Sequence, residues 1–471
     1  MSDLPRSLTQ TPRPAIIRPL HPILATSWRL GKGIMTIYDP APGQQVFGPA
    51  LPGYDDLQGC IRCGRCLPVC PTYGETQLEM FSPRGRLSLL RAVEDGKLAL
   101  TPGVEAHLYH CLDCRACNTV CPPGVHIGEL ILAGRRAVEE KYPRSPVIRF
   151  MLTQVLTGAE RAEILSAPLR AVQAGRLDRF GAWLLGPLPL LGPKLRELVE
   201  FAPRIGKPIR REIAATTPAK GAQRHRVAFF LGCMMNVVMP DVSRATLRVL
   251  TAAGCEVITP RGQACCGAPQ DDQAMLDLSR DMARKNIALF EPHLDDVEAI
   301  VTDCAGCSAA LKEYAEWLHD DADWAGRARR FSAKVRDVTE WLDGVWPAER
   351  ALRRAPITAT YHDPCHLANC QNVRTQPRRL LGRVEGLELR LLPDSHPVRC
   401  CGSAGIYNLT HTPMALGLLD KKMADVAATG AALVVSANPG CLLQLSWGQR
   451  RSRQPIEIKH VVQVLDESLA E

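Results

Sequence analysis

Cysteine thiols are the groups in this chain best suited to chemistry, and most of them lie at short, repeated intervals. The chain has 471 residues, of which 19 are cysteine. Two runs share the spacing Cys-x2-Cys-x2-Cys-x3-Cys-Pro. The first run contains Cys60, Cys63, Cys66 and Cys70, and the second contains Cys111, Cys114, Cys117 and Cys121. Thiolates are strong metal ligands, so thiols spaced this closely predict metal binding rather than a disulfide framework.

The spacing of these two runs is typical of bacterial ferredoxins, in which three cysteines of a run bind one [4Fe–4S] cluster and the fourth binds the other. Two zinc sites are the alternative, but zinc would need only four ligands from two Cys-x2-Cys pairs. Zinc would not explain why each run continues beyond its first Cys-x2-Cys pair with a further Cys-x2-Cys interval. It would also not explain why the fourth cysteine of each run precedes a proline. We therefore expect two [4Fe–4S] clusters. The expected ligand sets are Cys60, Cys63, Cys66 with Cys121, and Cys111, Cys114, Cys117 with Cys70.

The segment between the two runs predicts a helix. Ser82 can cap its start and Pro83 suits its first turn, while Asp95 and Gly96 would end it. Three apolar residues would share one face of this helix: Leu87, Leu90 and Val93. Arg84 and Arg86 would lie near a cluster or a partner's acidic rim, or would simply be solvated. The arrangement resembles the helical ferredoxin domain of succinate dehydrogenase-type iron–sulfur subunits.

The second half of the chain contains a duplicated cysteine pattern, repeated after roughly 134 residues. The first copy comprises Cys233, Cys265, Cys266, Cys304 and Cys307, and the second comprises Cys365, Cys400, Cys401 and Cys441. Apolar strand-like runs lead into the cysteines, with helical patterns between them, which predicts α/β units with the thiols in loops at strand ends. Gly267 and Gly402 follow the adjacent cysteines and would let the backbone approach a metal centre closely.

The second copy departs from the first at one position. Asn438 stands where the first copy has Cys304. A cluster with altered ligation, a zinc ion and a structural site without metal are all open for this copy. Three polar residues flank Cys365 and could be ligands or proton donors, although histidines satisfied by local hydrogen bonds are the simpler interpretation: His362, Asp363 and His366. Cys255 and Cys370 lie outside both patterns and are expected to be small buried apolar residues.

This duplicated pattern resembles the cysteine-rich CCG domain of heterodisulfide reductases, glycolate oxidases and lactate-utilisation proteins. In heterodisulfide reductases that domain binds a catalytic, non-cubane [4Fe–4S] cluster. The whole order, two ferredoxin-type runs followed by two CCG domains, resembles the iron–sulfur subunits of glycolate oxidase (glycolate dehydrogenase). Local sequences agree: Ser-Pro-Arg-Gly-Arg at 82–86, His-Asp-Pro-Cys-His-Leu at 362–367, and Asn-Pro-Gly-Cys at 438–441.

The resemblance implies an oxidoreductase subunit that relays electrons from separate FAD-containing dehydrogenase subunits to quinone or another acceptor. No flavin or nucleotide motif is evident, so hydride removal would belong to a flavin in a partner. A heterodisulfide reductase-like thiol/disulfide oxidoreductase, and an iron–sulfur subunit of a lactate or glycerol-3-phosphate dehydrogenase, are the alternatives.

We expect an α+β multidomain chain, with a helical two-cluster ferredoxin domain followed by a duplicated α/β CCG domain. The expected divisions are an extended N-terminal arm at 1–50, the ferredoxin domain at 51–135, a helical linker at 136–222, a first CCG domain at 223–350 and a second at 355–471. An apolar stretch at 183–195 would either pack on these domains or touch a partner or membrane surface.

Net charge bears on the partners of the chain, and the absence of an apparent targeting or membrane-spanning segment bears on its location. The net charge is +8 at pH 7, which suits docking to an acidic protein or to an anionic membrane surface. Aromatic residues are few and no basic run stands out, so we expect no nucleic-acid partner. Because no signal peptide or membrane span is evident, we expect a cytoplasmic chain, with peripheral association with the inner face of the cytoplasmic membrane as a further option.

Overall fold

The computed structural model describes residues 54–175, 203–393 and 400–469. The expected N-terminal arm at 1–50 and the apolar stretch at 183–195 lie outside these residues. All described residues belong to a single unit of the chain.

The N-terminal described part is helical. Ser82 caps the third helix by accepting a hydrogen bond from the Gly85 amide at 3.0 Å, and Gly96 follows its end with φ +68°. Its apolar face is buried against the sixth helix, and these contacts form the core of the ferredoxin domain, as the sequence pattern predicts. The helices are α1 (Tyr54–Gln58), α2 (Pro71–Thr76), α3 (Pro83–Glu94), α4 (Pro102–Tyr109), α5 (Ala116–Thr119) and α6 (Ile127–Lys141).

Two further helices extend from this domain to the first CCG domain. They are α7 (Pro146–Phe150), which continues into a π-helical turn (Met151–Val155), and α8 (Ala159–Ala174). The Gln270 side chain donates to the carbonyls of Leu152 and Leu156, and Asn236 Nδ2 donates to that of Ala159. The described part of the expected linker therefore packs on the first CCG domain. Its expected start at residue 136 lies within α6.

Each CCG domain is built on a parallel sheet. The first sheet has the order β1-β3-β2-β4-β5, in which only β1 runs antiparallel, and the second has the order β7-β6-β8-β9. The strands are β1 (Thr216–Thr217), β2 (His225–Phe229), β3 (Cys255–Ile258), β4 (Ala299–Thr302), β5 (Val335–Asp337), β6 (Leu352–Tyr361), β7 (Val384–Arg390), β8 (Leu433–Ser436) and β9 (Glu457–His460). Strands β2 to β5 correspond in order to β6 to β9, so the repeat in sequence is a repeat in topology.

Helices cover these sheets and make the connections that parallel strands require. In the first CCG domain they are α9 (Cys233–Val237), α10 (Pro240–Ala252), α11 (Ala268–Asp272), α12 (Leu276–Phe290), α13 (Ala305–Trp317), α14 (Ala325–Lys334) and α15 (Val338–Val345). In the second they are α16 (Gln376–Gly382), α17 (Tyr407–Thr410), α18 (Thr412–Thr429), α19 (Pro439–Ser452) and α20 (Val461–Glu467). None of the helices within the described ranges has the length and apolarity needed to cross a membrane.

The central strands are short apolar runs buried on both faces, as parallel sheets require. Residues 299–302 of β4 and 433–436 of β8 are all buried. The two sheets share one continuous hydrophobic core, and Arg248 on α10 pairs with Asp466 on α20 across the two domains. The expected start of the second CCG domain at 355 lies inside β6, which begins at Leu352.

Candidate metal centres

The first pocket brings together thiols from both ferredoxin-type runs. It has an empty volume of about 300 Å³ and is lined by four cysteines, Cys60, Cys63, Cys66 and Cys121. Arg62 and Gly64 lie between the cysteines of the first run with φ +56° and +82°. These left-handed turns coil the backbone tightly enough for three thiols of one run to share a pocket.

The second pocket repeats this arrangement with the roles of the runs exchanged. It has an empty volume of about 360 Å³, and its thiols are Cys70, Cys111, Cys114 and Cys117. Asp113 and Arg115 take the positions of Arg62 and Gly64, with φ +47° and +55°. The two pockets thus contain the two crossed sets of thiols expected from the spacing.

The chemistry of both pockets fits a cationic centre. Burial raises the pKa of the Cys66 thiol to about 11 and raises the pKa of Cys114 and Cys117 well above the ordinary value. Buried thiols of this kind would stay protonated at neutral pH unless a metal centre stabilised their thiolates. Four convergent thiols in one pocket match the donor set of a [4Fe–4S] cluster.

Two arginines of α3 line these pockets. Arg84 lines the first pocket, donates to the carbonyl of Arg62 at 3.1 Å and pairs with Glu79. Arg86 lines the second pocket, is almost fully buried, and donates to the His107 carbonyl at 2.7 Å and to Thr72 Oγ1 at 3.1 Å. Of the two expectations for these residues, the structure supports proximity to the thiol sites rather than simple solvation.

The five thiols of the first CCG domain come from three segments at the carboxyl ends of its strands. Cys233 follows β2, the adjacent cysteines follow β3, and Cys304 follows β4 and precedes α13. The sulfur atoms of Cys233 and Cys265 are 3.6 Å apart, and the Cys307 amide donates to the sulfur of Cys304 at 3.4 Å. All five are at most 9% exposed: Cys233, Cys265, Cys266, Cys304 and Cys307.

Buried polar side chains fix the backbone of the adjacent cysteines. Asn286 Nδ2 donates to the Cys265 carbonyl and the Tyr314 hydroxyl donates to the Cys266 carbonyl, each at 3.0 Å. Gly267 follows with φ +88°, where a Cβ would lie 3.0 Å from the Trp317 ring. The sharp turn after the cysteines therefore requires glycine.

The second CCG domain places its four cysteines at the corresponding strand ends. Cys365 follows β6, Cys400 and Cys401 follow β7, and Cys441 lies in the first turn of α19 after β8. Gly402 has φ +87°, and a Cβ there would lie 2.6 Å from the carbonyl oxygen of Ala415.

The polar residues that flank Cys365 have three different environments. His362 is 1% exposed, and neither of its ring nitrogens has a hydrogen-bond partner, so the expectation of a locally satisfied histidine is wrong for it. Asp363 forms an ion pair with Arg378. His366 Nε2 lies 3.1 Å from the carbonyl oxygen of Asp113, a contact with the ferredoxin domain rather than a local one.

The two cysteines outside the patterns also differ. Cys255 is fully buried in the core of the first CCG domain, as expected. Cys370 is half-buried in the π-helical turn at His366–Cys370 and does not belong to the core, so that expectation is wrong for it. The sequence offered no signal that distinguishes the two.

The second pocket lies against both CCG domains. The Asn369 side chain donates to the Cys114 carbonyl at 2.7 Å, beside the contact that joins His366 to Asp113. Arg135, 1% exposed, donates to the Cys111 carbonyl and forms an ion pair with Asp272 of the first CCG domain at 2.8 Å. Nothing in the spacing of the cysteines indicates these contacts, because they join residues far apart in the chain.

The fold and the thiol sites together define an iron–sulfur protein with a dicluster ferredoxin domain and two cysteine-rich domains. Comparison with protein families agrees with this class. Residues 56–125 match the 4Fe-4S dicluster domain, and residues 227–312 and 359–446 each match the Cysteine-rich domain.

Full-length relatives narrow the class further. The chain is 37% identical over 403 residues to the probable glycolate oxidase iron-sulfur subunit of Bacillus subtilis, covering 84% of this chain and 90% of that protein. It is 32% identical to the glycolate oxidase iron-sulfur subunit of Escherichia coli, covering 89% and 96%. Lactate utilization protein A of Geobacillus kaustophilus is 31% identical but covers 51% of this chain. The chain therefore belongs to the family of glycolate oxidase iron–sulfur subunits and is an oxidoreductase subunit.

Proposed function

We propose that this chain relays electrons in a glycolate dehydrogenase complex, from a separate FAD-containing subunit to quinone or another acceptor. The observation that carries this proposal is the position of the two pockets, one at the surface and one against the CCG domains. When bound there, [4Fe–4S] clusters would supply one-electron transfer. The pockets adjoin each other, since Cys66 of the first pocket and Cys117 of the second are buried in the same hydrophobic cluster.

The first pocket offers the surface on which a flavoprotein would dock. Cys63 is exposed at its rim, and Ile61 beside it is 65% exposed. Arg62 and Arg65 are exposed at the same rim. An exposed apolar side chain flanked by arginines suits an interface with an acidic partner, since charge complementarity steers association and the apolar contact excludes water.

The second pocket forms the inner side of the proposed route. The bonds from Asn369, His366 and Arg135 hold its backbone on the two CCG domains. These hydrogen bonds hold the second pocket in a fixed position relative to the CCG domains. The CCG domains are then the onward part of the route within this chain.

Substrate oxidation belongs to the partner in this proposal. The chain has no flavin or nucleotide motif, and the glycolate specificity is inferred from the named relatives. A cytoplasmic location at the inner face of the membrane would bring the chain to quinone, and its net charge of +8 suits an anionic lipid surface.

The test is anaerobic purification of the full chain from its own cells, followed by addition of glycolate and EPR spectroscopy. We expect FAD-containing subunits to co-purify and glycolate to reduce the clusters, more rapidly than lactate or glycerol 3-phosphate does. Clusters that stay oxidised with glycolate but are reduced with lactate or glycerol 3-phosphate would reassign the substrate. Clusters that stay oxidised with all three would contradict the relay.

The docking surface has its own test. Replacing Arg62 and Arg65 together by Glu should reduce co-purification of the flavoprotein and the rate of cluster reduction. Arg329→Glu, a charge reversal at an exposed position on α14, is the control and should leave both unchanged. Equal effects of the two charge reversals would contradict docking at the first pocket.

A thiol/disulfide reductase is the second candidate, because the first CCG domain brings five thiols together. Their burial, at most 9% exposed, disfavours direct approach of a bulky disulfide. The two functions are separated by assaying disulfide reduction by the chain without flavoprotein. We expect none, and turnover in that assay would favour the reductase.

A further inference from the structure

A buried imidazole without a hydrogen-bond partner lies in the second CCG domain. His362 follows β6 directly and is 1% exposed, and neither Nδ1 nor Nε2 has a partner. Its backbone is well satisfied, since its N–H donates to the Val435 carbonyl and its carbonyl accepts from Ser436 Oγ. A neutral imidazole has one donor and one acceptor to satisfy, so burying both unpaired is costly unless another group binds the ring.

Two thiols lie beside this ring. The candidate ligand atoms of His362, Cys401 and Cys441 all lie within 4.8 Å of one another, and all three residues are buried. Within residues 54–175, 203–393 and 400–469, no other set of three His, Cys, Asp or Glu residues brings its ligand atoms this close together. A tetrahedral zinc ion places its ligand atoms about 3.7 Å apart, given Zn–S near 2.3 Å and Zn–N near 2.0 Å. The three groups thus lie close enough together for small side-chain movements to bring all of them onto one ion.

The two CCG domains differ at the positions that matter here. Three residues before the first cysteine of each domain, the first domain has Phe230 and the second has His362. At the start of the last cysteine motif, the first domain has Cys304 and the second has Asn438. The second domain therefore loses one thiol and gains one imidazole. Asn438 does not replace the lost ligand, because its Oδ1 accepts a hydrogen bond from the Gly306 amide at 3.1 Å.

We propose that the second CCG domain binds a single zinc ion through His362, Cys401 and Cys441, rather than an iron–sulfur cluster. One imidazole and two thiolates are ligands that zinc prefers, and a neighbouring thiol of the domain completes the four. Asn438 Nδ2, 3.5 Å from the sulfur of Cys441, donates to that ligand.

The zinc ion would be structural, because zinc has no redox chemistry. It would fix the Asn438–Cys441 loop, and through Asn438 and Gly306 this loop supports the Cys304–Cys307 loop of the first CCG domain. The electron-carrying sites would then be the two ferredoxin-type pockets and the first CCG domain. This inference does not depend on glycolate being the substrate.

The test is metal analysis of the full chain purified anaerobically. We expect about one zinc per chain in addition to iron. His362→Phe, which introduces the residue that the first domain has at this position, should lose the zinc and keep the iron and the EPR signals of the ferredoxin-type clusters. His362→Cys should keep the zinc, because a thiolate replaces the imidazole. His366→Asn is the matched control, a histidine of the same sequence segment that lies outside the ligand set, and should keep the zinc.

Several results would overturn the proposal. One is wild-type protein that contains no zinc, and whose iron content per chain exceeds that of a variant lacking the second-domain cysteines by about four atoms. Another is a folded His362→Phe protein that retains zinc. If His362→Phe is insoluble, cobalt-substituted wild type and His362→Cys decide the question. Because a thiolate replaces the imidazole in His362→Cys, stronger thiolate-to-cobalt absorption in this variant than in wild type supports the site. Identical spectra of the two proteins refute it. Reduction of the clusters by glycolate is measured in a different experiment. A negative result there would contradict the electron-relay proposal without changing the zinc content measured here.

Discussion

The side-chain oxygen of Asn438 accepts a hydrogen bond from the backbone N–H of Gly306 at 3.1 Å and so joins the last cysteine loops of the two CCG domains. Asn438 occupies the position that corresponds to Cys304, whose sulfur lies 3.8 Å from the same oxygen. The backbone supports this contact, since the Ala305 amide donates to the Ala437 carbonyl. The residue that breaks the cysteine pattern is therefore also the residue that couples the two repeats.

Asn438→Ala should loosen both loops. It removes the bond to Gly306 and the donor to Cys441, and we expect a loss of about 1 kcal/mol of stability per hydrogen bond, seen as a lower thermal midpoint. Asn438→Asp separates the two contributions, because it retains the acceptor for Gly306 but places a negative charge beside the Cys441 thiol. Equal stability of wild type and Asn438→Ala would show that the contact does not couple the domains.

The crossed thiol sets can be tested by serine substitution. Cys70→Ser should affect the same EPR signal as Cys111→Ser, and Cys121→Ser the same signal as Cys60→Ser. Each variant should lose up to about four irons per chain and slow electron transfer, while the CCG domains remain folded. If Cys70→Ser instead matched Cys60→Ser, each run would bind its own cluster and the crossed assignment would be wrong.

Arg86 should raise the reduction potential of the cluster in the second pocket. A buried positive charge favours the more negative, reduced state, so Arg86→Met should lower that potential by on the order of 50 mV, about 1 kcal/mol for one electron. Arg84→Met is the matched control, because the Arg84 side chain is 29% exposed and its charge is better screened. A redox titration monitored by EPR measures both, and a larger shift in the control would contradict the argument.

Gly402→Ala should destabilise the second CCG domain more than backbone strain alone explains. Its φ of +87° disfavours any side chain, and the new Cβ would lie 2.6 Å from the Ala415 carbonyl oxygen. Gly262 has φ +90°, and a Cβ added there would meet no atom within 4 Å, so this position isolates the strain. We expect Gly262→Ala to cost about 1–3 kcal/mol and Gly402→Ala to cost more, measured by thermal unfolding. Equal costs would mean that Ala415 moves aside.

Much of the fold follows from local pattern. Ser82 and Pro83 start α3 where capping preferences place them, and the duplicated cysteine spacing corresponds to two sheets of the same strand order. These features depend on residues close together in the chain, for which propensity and spacing are informative. The domain edges are less well predicted, because α6 and β6 run across the expected boundaries.

The sequence by itself determined which thiols could act together, since three cysteines at intervals of three residues can share one centre only through a tight local turn. It also determined that one CCG domain lacks a thiol at Asn438. Only the tertiary structure placed the ring of His362 beside Cys401 and Cys441, and the Cys114 carbonyl beside Asn369. Those contacts join residues on different strands and domains, and the packing of whole sheets, which no local spacing encodes, brings them together.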